Sequence, residues 1–381
     1  MYYNGTRTVL FSAVSSSAFS LFARILAWAS SRPFRRFSPP HDSLPNGKGF
    51  SVRKDWKVGQ VFRIGTVASL AFSLLLVLRP QAGTRVTHEA KGYENGAQTE
   101  QPARTFTLVG AGDIATCKHL EGAQATAKLI EQIPGTVFAA GDLAYEKGSP
   151  DQFRNCYDKT WGEFKDRTQP ALGNHDYGDR AAIGYFGYWG AQAGPVGKGY
   201  YSYDLGDWHI VVLNTNCDVQ AMGGCDRGSP EEAWLRRDLA KYRNACILAY
   251  GHHALFSSGV FKSHALHPEL RPFWEDLYAA HADLVLAAHE HSYERFAPQD
   301  PQGNVDPVRG IREIVVGTGG RSHSPLGVPT PNSEVRNWTT YGVLKLTLSR
   351  GKYHWEFIPV EGQTFHDSGD GVCHNLPSTA D

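Results

Sequence analysis

Five apolar stretches of this chain each stop at a turn that opens with a metal-binding type of side chain. "TFTLVGAGD" stops at Gly112-Asp113, "TVFAAGD" at Gly141-Asp142 and "QPALGNHD" at Gly173-Asn174-His175-Asp176. "ACILAYGHH" stops at Gly251-His252-His253, and "ADLVLAAHEH" at His289-Glu290-His291. Short apolar runs bounded by turn residues read as buried strands. Between them lie segments of helical spacing. Residues 121–132 show it through Ala125, Leu129 and Ile130, and residues 230–242 follow Ser229 as N-cap with Pro230 at the first helical position. Residues 268–281 place Leu270, Phe273, Trp274, Leu277, Tyr278 and His281 on one face. Strand, helix and strand alternate, which predicts an α/β layered domain whose ligands bind beyond the carboxyl ends of the strands. Towards the C-terminus "IREIVVGTGG", "YGVLKLTLS" and "KYHWEFIPV" alternate with period two, the pattern of sheet strands with one exposed face.

A single Gly-Asp turn or His-His pair means little, because such residues are common in turns and caps. Successive ends carrying Asp, Asp, Asn, His and His-x-His form a constellation. Carboxylates, an amide oxygen and imidazoles suit two divalent or trivalent metals that share a carboxylate. Two ions roughly 3.5–4 Å apart bind phosphate oxygens, acidify a bridging water and stabilise both ends of an in-line displacement. The chemistry expected from the residues is therefore dimetal hydrolysis of phosphate esters.

Charge excludes other classes of partner. Lys plus Arg equal Asp plus Glu at 38 each, so no net field draws the chain to nucleic acid or an anionic membrane. Residues 1–41 contain no Asp, Glu or Lys but carry Arg7, Arg24, Arg32, Arg35 and Arg36, a composition closer to a leader than to a fold. A second basic stretch precedes "IGTVASLAFSLLLVL" at 64–78, which is short for a span and right for an export signal or signal-anchor. The expected organisation is an N-terminal extension over 1–103, a catalytic domain over 104–365 and a tail over 366–381, with the protein extracytoplasmic: secreted, periplasmic or tethered through 64–78. Six cysteines agree with export. Cys217 and Cys225 bracket a short loop that a disulfide can close, Cys117 and Cys156 are a candidate second pair, and Cys246, inside an apolar run, reads as a buried thiol.

Asp113 in "GDIA", Asp142 in "GDLAY", "GNHD", "GHH" and "HEH" follow one another as in the calcineurin-like metallophosphoesterase superfamily, which residues 104–360 resemble. Tyr145 makes the chain similar to the purple acid phosphatase branch. The resemblance implies two packed mixed β-sheets in a sandwich flanked by α-helices, with a dimetal site at the strand C-terminal edge. It implies that Asp113, Asp142, Tyr145 and His291 hold the first metal and that Asp142, Asn174, His252 and His289 hold the second, Asp142 bridging. His175 matches the position that contacts phosphate and assists the leaving group, with Asp176 orienting it. His253 is either a supporting donor or proton source, or a packing group. Three positions depart from the family pattern: Ala115, Ala254 and Ala288 stand where Gly, Pro and Gly are usual. None is a ligand, so ligation is expected to survive them.

Tyr145 chooses between branches. A phenol with a pKa near 10 yields its proton to Fe(III) far more readily than to Zn, Mg or Mn(II). The implied pair is Fe(III) at the first site with Fe, Zn or Mn(II) at the second. The expected reaction is in-line attack by a metal-bound hydroxide on a small phosphate ester, with a phosphodiesterase acting on nucleotides or glycerophosphodiesters as the alternative and a membrane-tethered binding protein as a third reading. "GTGGRSH", 317–323, either walls the cleft with Arg321 or His323 or is only a turn. Arg295 either contacts phosphate or pairs with Glu294. The Tyr- and Trp-rich stretch 177–200 is long for a connector and is expected to shape specificity.

Overall fold

Every run read above as a strand is a strand in the computed structural model, which describes residues 104–219, 222–243, 245–260 and 267–375. The segment 64–78, with its expected export or tethering role, lies outside the described residues. One sheet is ordered β15 (Asp367–Val372), β14 (Lys352–Pro359), β13 (Gly342–Ser349), β1 (Phe106–Ala111), β3 (Thr136–Ala140) and β5 (Thr168–Ala171), labels following chain order. The other runs β12 (Ser333–Asn337), β10 (Tyr293–Phe296), β11 (Arg312–Val316), β9 (Leu284–Ala287), β8 (Cys246–Tyr250), β7 (Trp208–Val212) and β6 (Tyr201–Leu205). Both are mixed: β1, β3 and β5 are parallel while β13 is antiparallel to β1, and β7, β8, β9 and β11 are parallel while β6 and β10 run against them. A parallel pair of two-residue strands, β2 (Ala115–Thr116) and β4 (Ala144–Tyr145), extends the β1–β3 edge.

The sheets face each other, and the period of two sorts each strand's side chains between layers. Leu248 and Tyr250 of β8, with Leu284 and Leu286 of β9, join Leu108 and Phe138 in one apolar cluster between the sheets. Their neighbours Ile247, Ala249, Val285 and Ala287 pack instead with two helices. Among the described residues, the named helices are α1 (Glu121–Glu131), α2 (Ile183–Trp189), α3 (Pro230–Leu239) and α4 (Arg271–Ala279). Leu235 and Leu239 of α3, and Phe273 and Leu277 of α4, cover that outer face. Strands buried on both faces must be apolar throughout, which is why β8 and β9 read as unbroken runs. Strands β13 and β14 alternate because only one of their faces is fully buried.

Two expectations are corrected here. Residues 366–381 are not simply a tail: Asp367–Val372 forms an edge strand antiparallel to β14. Cys246 is not a thiol but is bonded to Cys373, just beyond β15. The other two disulfides, Cys117–Cys156 and Cys217–Cys225, are the pairs read from the sequence. The stretch 177–200 is partly core, since Tyr185 and Trp189 of α2 are buried and the Tyr185 hydroxyl donates to the Pro170 carbonyl at 2.9 Å.

Candidate metal centre

Parallel pairing of β1 with β3 brings Asp113 and Asp142 side by side, one residue past a glycine at each strand end. The ladder continues through the turns, with the N–H groups of Asp113, Ile114 and Ala115 donating to the carbonyls of Gly141, Asp142 and Leu143 at 3.0–3.1 Å. That register carries Tyr145, in β4, alongside Thr116. Asp113, Asp142 and His289 all sit at positive φ, 59°, 53° and 70°. Left-handed backbone at non-glycine residues costs about 1–2 kcal/mol each and persists where the surroundings enforce it. Gly141 is also left-handed at φ 84°, and a Cβ there would come within 2.5 Å of the His252 ring. The site therefore needs glycine beside the aspartate, and strains the aspartate itself to aim it.

Seven side chains converge in two groups. In the first, the Tyr145 hydroxyl donates to Asp113 Oδ1 at 2.6 Å, and His291 Nε2 lies 3.2 Å from that hydroxyl and 3.3 Å from Asp113 Oδ1. In the second, His252 Nε2 lies 3.4 Å from Asp142 Oδ2, 3.2 Å from Asn174 Oδ1 and 3.1 Å from His289 Nδ1. Donors about 2.1 Å from one ion, in adjacent octahedral positions, stand roughly 3 Å apart, so both groups match the spacing of ligands around a metal. Four of the donors are also aimed from behind. The His289 N–H donates to Asp113 Oδ2 and the His175 N–H to Asp142 Oδ1, both at 2.8 Å. His252 Nδ1 meets the Ala140 carbonyl at 2.9 Å and His291 Nδ1 meets the Ser322 hydroxyl at 2.6 Å, which turns each Nε2 inward.

Electrostatics agree with that fit. Burial opposes ionisation of Asp142, yet His252, with His175 and His289, holds its carboxyl below the usual carboxylate range. Burial likewise works against a charged His252, and Asp142 nevertheless raises it to about 9. The buried Asp142 carboxylate is thus balanced by a proton on His252 that a cation can replace. Burial, then the Asp113 and Asp142 charges, push the Tyr145 phenol well above its ordinary value.

The remaining sequence candidates are placed differently. His175 stands at the rim with its side chain 36% exposed and its Nε2 4.0 Å from Asp142 Oδ2. Asp176 does not orient it. The Glu146 carbonyl holds His175 Nδ1 at 2.7 Å, while the buried Asp176 carboxylate accepts from the N–H groups of Gly173 and Leu143 and is raised to about 7 by burial and by Asp142. Asp176 clamps the two turns together because its side chain points back under its own strand end. His253 is buried, with Nδ1 2.9 Å from Thr215 Oγ1, and burial with its neighbouring histidines lowers it well below its ordinary value. Arg321 lies over the Tyr145 ring at 4.9 Å and bonds Glu146 at 2.7 Å, whereas His323 stacks on Tyr341. Arg295 pairs with Asp367 and Glu334, not with Glu294 or the site. Thr215 and His267 went unread. Thr215 Oγ1 accepts from the His252 and His253 N–H groups, and the run "WHIVVLNTN" that carries it is a sixth strand end with the same signal as the five counted. His267, whose ring lies 4.4 Å from that of His253, carries no strand-end signal.

The family model for calcineurin-like phosphoesterases matches residues 106–293, the span that holds all seven donors. Purple acid phosphatase 23 of Arabidopsis thaliana is 30% identical over 209 residues, covering 44% of this chain and 43% of that protein. Probable inactive purple acid phosphatase 9 of the same plant is 24% identical over 253 residues, covering 53% of this chain and 36% of that one. The chain spans less than half the length of either relative. Among solved structures, yellow lupin purple acid phosphatase PPD1 superposes with a TM-score of 0.57 at 21% identity, over 70% of this chain and 54% of that one. GAP50, described as the anchor in the inner membrane complex of Plasmodium, gives 0.56 at 15% identity, over 72% and 90%. These two likenesses show a shared fold of two mixed sheets. Motif order, fold and family match together make residues 106–293 a calcineurin-like phosphoesterase domain, with purple acid phosphatases among the chain's relatives.

Proposed function

We propose that the domain is a dimetal phosphatase acting on small phosphate esters. The observation that carries this reading is the convergence of seven donors at ligand spacing on the strand-end edge. Asp113, Asp142, Tyr145 and His291 would hold one ion, and Asp142, Asn174, His252 and His289 the other. When bound, such ions supply positive charge to the phosphate oxygens and acidify a water. His175, exposed at the rim with Nδ1 fixed, contacts the phosphate and donates through Nε2 to the departing alkoxide. His253, neutral and locked to Thr215, keeps His252 and His289 in place. Since Tyr145 is buried beside two carboxylates, only a strongly acidic cation takes its proton, which supports Fe(III) at the first site. Three disulfides support an extracytoplasmic location.

Metal analysis, a visible spectrum and hydrolysis of p-nitrophenyl phosphate by the purified protein test the reading together. The expected result is two metals per chain, a tyrosinate-to-iron band, and loss of one metal with at least about a 100-fold drop in kcat on Asn174→Ala. A colourless, iron-free but active enzyme rejects the iron assignment. Unchanged metal content and turnover in Asn174→Ala reject the site.

A further inference from the structure

The loop that follows β11 reaches the first donor group through two consecutive residues. The Arg321 N–H donates to the Asp113 carbonyl at 2.9 Å, the Arg321 guanidinium lies 4.9 Å from the centre of the Tyr145 ring, and the Ser322 hydroxyl stands 2.6 Å from His291 Nδ1. We propose that Arg321 is a positioning residue for Tyr145: its charge, held over the ring face, weakens electron donation from the phenolate to the metal of the first site and so sets that metal's acidity and redox potential. The inference rests on the phosphatase reading above, with Tyr145 bound to Fe(III), and adds what tunes that bond.

Three observations carry it. The first is contact with the ring face. A cation within about 6 Å of an aromatic centroid is attracted by the π electrons, and those are the electrons that a bound phenolate donates. Tyr145 is buried and the Arg321 side chain is 24% exposed, so water screens the pair only in part.

Fixity is the second. Arg321 Nη2 donates to Glu146 Oε1 at 2.7 Å, and Glu146 follows Tyr145 in the chain, so the guanidinium is tied to the backbone that carries the ring. Its own backbone is held as well. The Gly319 N–H donates to the Gly112 carbonyl at 2.9 Å, the Ser324 N–H to the His291 carbonyl at 3.0 Å, and the Thr126 hydroxyl of α1 to the Gly319 carbonyl at 2.6 Å. A charge anchored at both ends acts on the ring from a set distance.

Sign is the third. Asp113 Oδ1, which accepts from the Tyr145 hydroxyl at 2.6 Å, brings negative charge to the oxygen end of the side chain, and Arg321 brings the opposite charge to its ring. A donor made poorer leaves the cation it holds more acidic, which favours the binding of phosphate oxygens.

Protein loaded with iron and zinc, so that one ion is redox-active, tests this by visible spectroscopy and spectroelectrochemical titration. Arg321→Gln should move the tyrosinate-to-iron band to longer wavelength. It should also favour Fe(III) over Fe(II) by about tenfold, the size of one partly buried cation–ring contact, which lowers the potential by about 59 mV. Glu146→Gln, which removes the counter-charge of the guanidinium, should move both readings the opposite way. Opposed shifts are the mark of charge, because loosened packing would displace the ring alike in both variants. Readings that stay put in Arg321→Gln, or that shift the same way in both variants, overturn the inference and spare the phosphatase reading. A colourless wild type that still hydrolyses p-nitrophenyl phosphate removes iron, and this inference with it, from a working phosphatase. Opposed shifts in a protein that hydrolyses no ester sink the phosphatase reading and keep the role of Arg321.

Discussion

Buried His252 keeps a proton up to about pH 9 because Asp142 Oδ2 lies 3.4 Å from its Nε2, the same nitrogen that faces Asn174 and His289. A metal arriving there must displace that proton. Below pH 9 the apparent affinity for the second ion should therefore fall by about tenfold for each unit that the pH drops, as each bound ion releases at least one proton. Competition titrations with Zn²⁺ between pH 6 and pH 8 check this, and a flat profile rejects the proposed ligand role of His252. At this scale the sequence brought the candidate donors into view and left their supports hidden. Asp113, Asp142, Asn174, His252, His289 and His291 stand at strand ends, which a sheet aligns automatically, whereas Tyr145 was singled out by the family resemblance of "GDLAY". The Glu146 carbonyl behind His175, Ser322 behind His291 and the backbone grip of Asp176 depend on tertiary approach, which no local pattern encodes.

Helices α3 and α4 meet across a pair of acids. Asp276 of α4 is raised to about 6, first by burial and then by Glu232 of α3, against the opposing charges of Arg227 and Arg236. A carboxyl raised above its unfolded value adds stability that is complete below that value and is lost as the pH rises through 6. Asp276→Asn should therefore stabilise the domain at pH 7.5 by on the order of 1–2 kcal/mol and gain little at pH 4.5. Urea midpoints at the two pH values decide it, and an equal effect at both would show that charge is not the cause. The helices themselves were legible. Ser229 Oγ accepts from the Glu232 N–H at 3.3 Å as the N-cap reading requires, and the helix ends at Leu239, three residues short of the expected 242. Strands β10 and β12, "YERF" and "SEVRN", escaped because they are short and rich in charge, so they carry neither an apolar run nor a clean alternation.

Across the whole domain, the sheet order was the least legible property. Phe106 of β1 pairs with Leu348 of β13, a partnership between distant segments that only the packed core specifies. The same holds for Cys246, whose apolar neighbours suit a thiol and a disulfide equally, while its partner lies 127 residues away. That bond joins β8 of one sheet to the end of β15 in the other. Closing so long a loop reduces the entropy of the unfolded chain, and its removal is expected to cost up to about 5 kcal/mol. Thermal melts of Cys246→Ser/Cys373→Ser, against the loss of about half that size expected from opening the short Cys217–Cys225 loop, measure the difference. Equal losses would show that loop length is not what matters here. Cys373 also lies C-terminal to every strand of both sheets. On a chain emerging into an oxidising compartment, Cys117–Cys156 and Cys217–Cys225 can each close early, and the third bond only after the last strand has arrived. A molecule stopped short of residue 373 would keep Cys246 as a thiol, a chemical mark by which thiol-exchange enzymes can tell unfinished domains from finished ones.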